Sequence, residues 1–265
     1  HSRQASFREW DAWRSYHQPF LVAQGGPLVT LEKDGLKVLV APAQGMQVRQ
    51  ISWQGQDLLR LPQAPAKKGG LTLIGGCREE ASPGWRLGTI VGEPQASSVK
   101  LASTHESGST EKFYSQKEIS LPAGDRLHLS VRGKSARVQE GFRGASARAI
   151  CEYRVDARGA AAWALQADGS WQAVAPAFPG DPTEGAGTLP AGSLALRVAL
   201  PLAGCLVEEW FLEPGVQLAS GKLELDAKQG YLRTTLQTTR VSIGDKAWVP
   251  WLARELRFAP LPGDL

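Results

Sequence analysis

Among 265 residues there is one methionine, Met46, and the chain opens on His1 instead. Histidine is scarce, at four residues, and cysteine scarcer, at three. Cys77, Cys151 and Cys205 form no C-x-x-C pair, so zinc-ribbon and thioredoxin chemistry have no footing. An odd number also leaves at least one thiol outside any internal disulfide; small fillers in apolar strands is the plain reading. No apolar stretch reaches the roughly 18–20 residues of a membrane helix, so no membrane span is expected. Charge of neither sign is massed. Lys and Arg number 30 against 26 Asp and Glu, and the longest basic run is Lys67-Lys68. A nucleic-acid surface needs clustered Lys and Arg, so no nucleic-acid partner is expected. A chain without an initiating Met reads as processed, trimmed or excised, and a secreted, periplasmic or extracellular setting fits that reading. A leading His invites a copper site, but His17, His105 and His128 carry no mark of a shared metal. No metal and no cofactor is therefore expected.

What is present points to strands. Hydrophobic residues make up 42% and charged residues 21%, enough apolar material for one large core. Residues 7–20 stand apart: Phe7, Trp10, Trp13, Tyr16 and Phe20 recur at helical steps, which predicts an amphipathic helix or the tail of a preceding domain over 1–20. From residue 28 the period becomes two. Leu28–Val40 reads as a hairpin around Asp34-Gly35, and Met46–Trp53 as a strand ending at Gln54-Gly55. Further strands are predicted at 71–75, 86–92, 97–103, 112–120, 126–132, 147–155, 161–166, 193–200, 204–212, 222–226, 229–240 and 247–258. Segment 174–192, rich in Pro, Gly, Ala and Thr, reads as a long loop. With no linker inside 21–265, one all-β antiparallel domain is expected.

Three segments then carry a resemblance. They are Leu36–Gly45 with Ile51–Leu59, Val207–Gln217 containing Pro214-Gly-Val-Gln217, and Ile243–Trp248 followed by Arg254–Phe258. In order and spacing they resemble the galactose mutarotase (aldose 1-epimerase) superfamily. The resemblance implies a mutarotase-like supersandwich and a carbohydrate ligand. Mutarotation needs a general acid and a general base, typically His and Glu, on opposite sides of the anomeric carbon. The segment matching the catalytic His, Gly141–Ile150, has no His. Where the Glu would stand, in Gly230–Gln237, the chain has Arg233 and Thr234. A divergent member lacking the proton-transfer pair is therefore expected.

The remaining candidates follow from residue type. Gly75–Arg86 resembles the segment that sets an Arg over the sugar. There Arg78 and Arg86 can donate forked hydrogen bonds, Glu79 can accept them, and Trp85 can stack on a sugar face. Gln217 sits in the motif turn, where an amide can read a hydroxyl. These five residues are the expected ligand-binding set. Should there be catalysis, Glu79, Glu80 or Glu209 would be the acid or base. Glu208 and Glu209 alternate on one strand, so only one of them faces inward. His105, in a Thr-His-Glu-Ser loop, and His128 read as structural or exposed. Most of the strand tryptophans read as core. Three functions stay open: a non-catalytic carbohydrate-recognition or accessory domain, free or within a larger multidomain parent; an atypical epimerase or polysaccharide-lyase-like enzyme; or a structural domain with a lost pocket.

Overall fold

Two short dipeptides set the opening of the fold. Asp34 and Gly35 take φ of 45° and 88°, and Gln54 and Gly55 take 51° and 81°. Consecutive left-handed residues are what a two-residue hairpin with right-twisted strands requires. The turns close on each other, for the Gln54 N–H donates to the Gly35 carbonyl at 2.9 Å. The chain, seen in a computed structural model, is described over residues 28–42, 46–60, 78–82, 89–90, 94–107, 113–135, 146–153, 159–175, 184–211, 218–226, 231–238 and 247–263. The expected helix over 7–20 and the expected strand at 71–75 lie outside these residues.

The elements are strands, with a short 3-10 turn at Pro201–Ala203. In order they are β1 (Val29–Lys33), β2 (Leu36–Ala41), β3 (Gln47–Trp53), β4 (Gln56–Arg60), β5 (Arg78–Ser82), β6 (Thr89–Ile90), β7 (Gln95–Ala96), β8 (Lys100–Ser107), β9 (Phe113–Ala123) and β10 (Arg126–Ser135). There follow β11 (Ser146–Tyr153), β12 (Ala161–Leu165), β13 (Trp171–Ala175), β14 (Glu184–Leu189), β15 (Ala195–Leu200), β16 (Cys205–Phe211), β17 (Leu218–Asp226), β18 (Tyr231–Thr238) and β19 (Val249–Pro260). Every pairing between them is antiparallel.

Three sheets result. β1-β2-β3-β4 form a four-stranded meander. A ten-stranded sheet runs β13-β12-β15-β16-β19-β10-β9-β8-β6, with β7 also on β8. A five-stranded sheet runs β14-β17-β18-β11-β5. Their apolar faces meet in one core: Leu31, Val38 and Ile51 from the first, Leu129, Val131, Val207 and Leu256 from the second, Leu218, Leu223 and Leu236 from the third. The meander is tied on by backbone and side chain alike. Glu32 N–H donates to the Ser98 carbonyl at 2.8 Å, and Lys33 Nζ to the Pro122 carbonyl at 2.6 Å.

Two expectations need correction. Segment 174–192 is not one loop, because β14 occupies Glu184–Leu189 and pairs along β17. Its Glu-Gly-Ala-Gly-Thr-Leu sequence lacks an apolar alternation, and the strand is held by main-chain bonds at a sheet edge instead. His105 lies within β8, opposite Ser115, and not in a loop.

Candidate functional site

On the core side of the ten-stranded sheet, polar groups interrupt the apolar rows. On β9 the inward row reads Ser115, Lys117, Ile119, Leu121, so a hydroxyl and an ammonium interrupt an aliphatic stripe. Register sets Ser103 opposite Lys117, and Lys117 opposite Val131. One pleat on, Ser115 lies between His105 and Gly133. On β19 the row Leu252, Arg254, Leu256, Phe258 is broken by a guanidinium in the same way. Arg254 stands opposite Leu129 and Phe211, and Glu209 opposite Leu256 and Leu196.

These polar groups are sealed from solvent: Lys117 and Arg254 at 0% exposure, Glu209 and Ser115 at 2%, Ser103 at 5%. Arg254 Nη1 donates to Glu209 Oε1 at 2.5 Å. The other carboxylate oxygen of Glu209 and the hydroxyls of Ser103 and Ser115 have no hydrogen-bond partner. Thr234, 1% exposed on β18 in the five-stranded sheet, has an unpartnered hydroxyl as well. A buried hydroxyl without a partner costs about 1–3 kcal/mol. Folded proteins keep few such groups, and those that persist commonly serve a ligand, an ion or ordered water.

The strand ends give the patch its setting. Ser107 pairs with Phe113, and Lys134 with Tyr114, so the 108–112 connection and the close of β10 share the end that holds Ser115. Phe211, beside Arg254, closes β16 at that end, and β17 opens at Leu218 in the other sheet. Ser82 closes β5 opposite Ser146, where β11 opens. The six residues between Phe211 and Leu218 can span at most about 20 Å, which brings the two sheets' ends together here.

The residues expected from sequence fall around this end in different ways. Trp85, Arg86 and Gln217 lie outside the described residues, each in a segment joined to one of these strand ends. Arg78, Glu79 and Glu80 are on β5. Glu79 takes the register position of Ala149, which continues to buried Leu236; Arg78 and Glu80 take the alternating positions opposite Ile150 and Arg148. Glu208 and Glu209 do part to opposite faces: Glu208 accepts from Arg197 Nε at 2.8 Å on the outer side, and Glu209 is inside. Sequence reasoning passed over Ser103, Ser115, Lys117 and Arg254. The available signal was a polar residue on an otherwise apolar alternation.

Other chemistry finds little support. Among the described residues no group of three or more His, Cys, Asp and Glu side chains could hold a metal ion, and no helix is long and apolar enough to cross a membrane. Burial pushes the Cys205 thiol up to about 11, so it is protonated at neutral pH.

No family model matches this sequence, and no curated protein does. Solved structures do. The Slr1438 protein of Synechocystis sp. PCC 6803 superposes with a TM-score of 0.63 at 15% identity, over 88% of this chain and 96% of that one. The GalM/aldose epimerase homologue from C. elegans gives 0.58 at 8% identity, over 89% and 99%. A TPR-domain containing protein from Parabacteroides distasonis ATCC 8503 gives 0.54 at 9% identity, over 89% of this chain and 47% of its own. At such identities the likeness is one of fold, and the fold is galactose mutarotase-like.

Proposed function

We propose that this chain is a carbohydrate-recognition domain, its ligand held on the core side of the ten-stranded sheet at the end that carries Ser103, Ser115 and Lys117. The observation that supports the reading most is the set of buried hydroxyls left without partners beside a buried ammonium. A polyol can satisfy such groups, each hydroxyl both donating and accepting. Solved structures of aldose epimerase homologues share the fold, and a sugar is the ligand class that accords with both facts. Trp85, Arg86 and Gln217 belong to segments that start or finish at this end, and Glu79 and Arg78 to a strand that finishes there; they complete the proposed binding set.

The domain is read as non-catalytic. Arg233 and Thr234 stand where the family likeness calls for a catalytic Glu, and neither brings a carboxylate. Calorimetry against a panel of mono- and oligosaccharides tests the binding. Ser103→Ala and Ser115→Ala should each weaken the responding sugar about fivefold to tenfold, the loss of one or two hydrogen bonds. Saccharide binding that neither substitution alters would remove the reading. Polarimetry on freshly dissolved glucose and galactose tests the second part, with no acceleration expected.

One observation favours a second reading. The free oxygen of buried Glu209 could take a proton in an atypical epimerase or lyase-like reaction. Acceleration in the polarimeter that Glu209→Gln abolishes, in a variant still folded by circular dichroism, would establish it.

A further inference from the structure

The opposite face of the ten-stranded sheet carries a second cluster, built from alternate residues of β13, β15, β16, β19 and β10. The Arg197 guanidinium lies 4.0 Å over the Trp171 ring, and its Nε and Nη2 donate to Glu208 Oε1 at 2.8 and 2.7 Å. The other Glu208 oxygen accepts from Trp210 Nε1 at 2.8 Å. Trp210 meets Trp171 edge to face, with ring centroids 6.5 Å apart. Arg257 lies 4.4 Å over Trp210, its Nε donating to Glu255 Oε1 at 2.7 Å. The terminal nitrogens of Arg257 have no partner among the described residues.

The next strand makes this more than a structural ladder. Register sets Arg126 directly opposite Arg257, and His128 opposite Glu255. Two like charges facing each other across a sheet oppose its pairing. Arg126 gains little relief, since its carboxylate, Asp125, is 3.7 Å away and both side chains are half exposed. Arg257 itself is about one-third exposed. Two guanidinium groups side by side, one already fixed over an indole by Glu255, suit an oxyanion held by forked hydrogen bonds.

We propose that Arg126 and Arg257, with Trp210 and Trp171 beside them, bind the carboxylates of an acidic polysaccharide laid across the strands. The row Arg197, Glu208, Arg257, Arg126 crosses four neighbouring strands, about 15 Å at the usual strand spacing. That is the reach of a short oligosaccharide. The guanidinium pair supplies the charge complement, the indole edges an apolar surface for ring C–H groups, and the Glu208 and Glu255 anchors hold the arrangement in place before binding. The site is on the other side of the sheet from Ser103 and Ser115, so it stands or falls separately from the inner one.

Native affinity electrophoresis of the full chain through polygalacturonate, dextran and poly-L-glutamate at about 0.15 M salt tests it. Polygalacturonate should retard the protein more than either control. Arg126→Ala, and Arg257→Lys, which keeps the charge and loses the fork, should each raise the apparent Kd about tenfold. Lys37→Ala, which removes an exposed cation on β2 outside either cluster, should change nothing. Equal retardation by poly-L-glutamate would reduce the effect to bare charge and overturn the proposal. So would an unretarded wild type, an Arg126→Ala protein that migrates as wild type, or an equal loss caused by Lys37→Ala.

Discussion

The Glu209–Arg254 pair and the Ser103 and Ser115 hydroxyls are all buried, yet they should answer mutation in opposite ways. Glu209→Gln removes the negative charge that Glu209 sets against the buried Arg254 guanidinium, and breaking such a pair costs about 3–5 kcal/mol. Urea denaturation should show that loss as a lowered midpoint. Ser115→Ala instead removes a group that has no partner, so stability should stay level or rise by about 1 kcal/mol while sugar affinity falls. That division, a gain in stability with a loss of binding, is the mark of a residue kept for a ligand. Cys205 supplies a pH test. Its folded thiol ionises near 11 against an ordinary value of 9.0, so the proton is held more tightly in the folded state. The contribution is full below pH 9 and is lost as pH rises from there through 11, to a limit of about 3 kcal/mol. Midpoints in urea should fall over that window, less steeply in Cys205→Ala. Thiol reagents at pH 7.5 should label Cys205 only after unfolding.

At the scale of the element, close approaches of backbone are the sensitive points. A Cβ on Gly221, in β17, would sit 2.8 Å from Leu189 Cβ on the edge strand β14. One on Gly124, in the β9–β10 turn, would sit 2.7 Å from the Asp34 carbonyl oxygen in the first hairpin. Each Gly→Ala should cost about 1–3 kcal/mol by overpacking, read as a drop in Tm. Strands and turns were legible in the sequence wherever side chains alternate or a turn dipeptide demands left-handed backbone. Asp34-Gly35 and Gln54-Gly55 are where they were expected. β14 was not legible, since its stability comes from a partner remote in sequence and its own side chains contribute little. The inner polar patch was half legible. Lys117 and Arg254 sit on apolar alternations, a contradiction visible in one dimension, but only register shows that the interruptions fall on neighbouring rows of one sheet. The tryptophans misled. Trp171 and Trp210 are half-buried on the outer face and Trp248 is exposed, so bulk and apolarity alone did not put them in the core.

On the scale of the whole molecule, strands far apart in sequence lie side by side: β10 with β19, β11 with both β5 and β18. Such pairings close long loops before contacts repay them. Refolding from urea should therefore run on the millisecond-to-second scale or slower, followed by tryptophan fluorescence. The order of sheets was not readable from the sequence, because each strand declares its period and not its neighbour. The superfamily likeness implied a supersandwich without ordering its strands, and the solved structures agree with it in fold.

β16 and β19 serve two masters. Glu209, Arg254 and Leu256 look one way while Glu208, Glu255 and Arg257 look the other. Individual side chains there can be exchanged without touching the reverse side, but the thread that carries them cannot be lengthened or shortened. One residue inserted into β19 would turn Arg257 toward the aliphatic interior and Arg254 toward water in a single step. Replacements along these two strands should accordingly be tolerated, and insertions or deletions only in the connections between them.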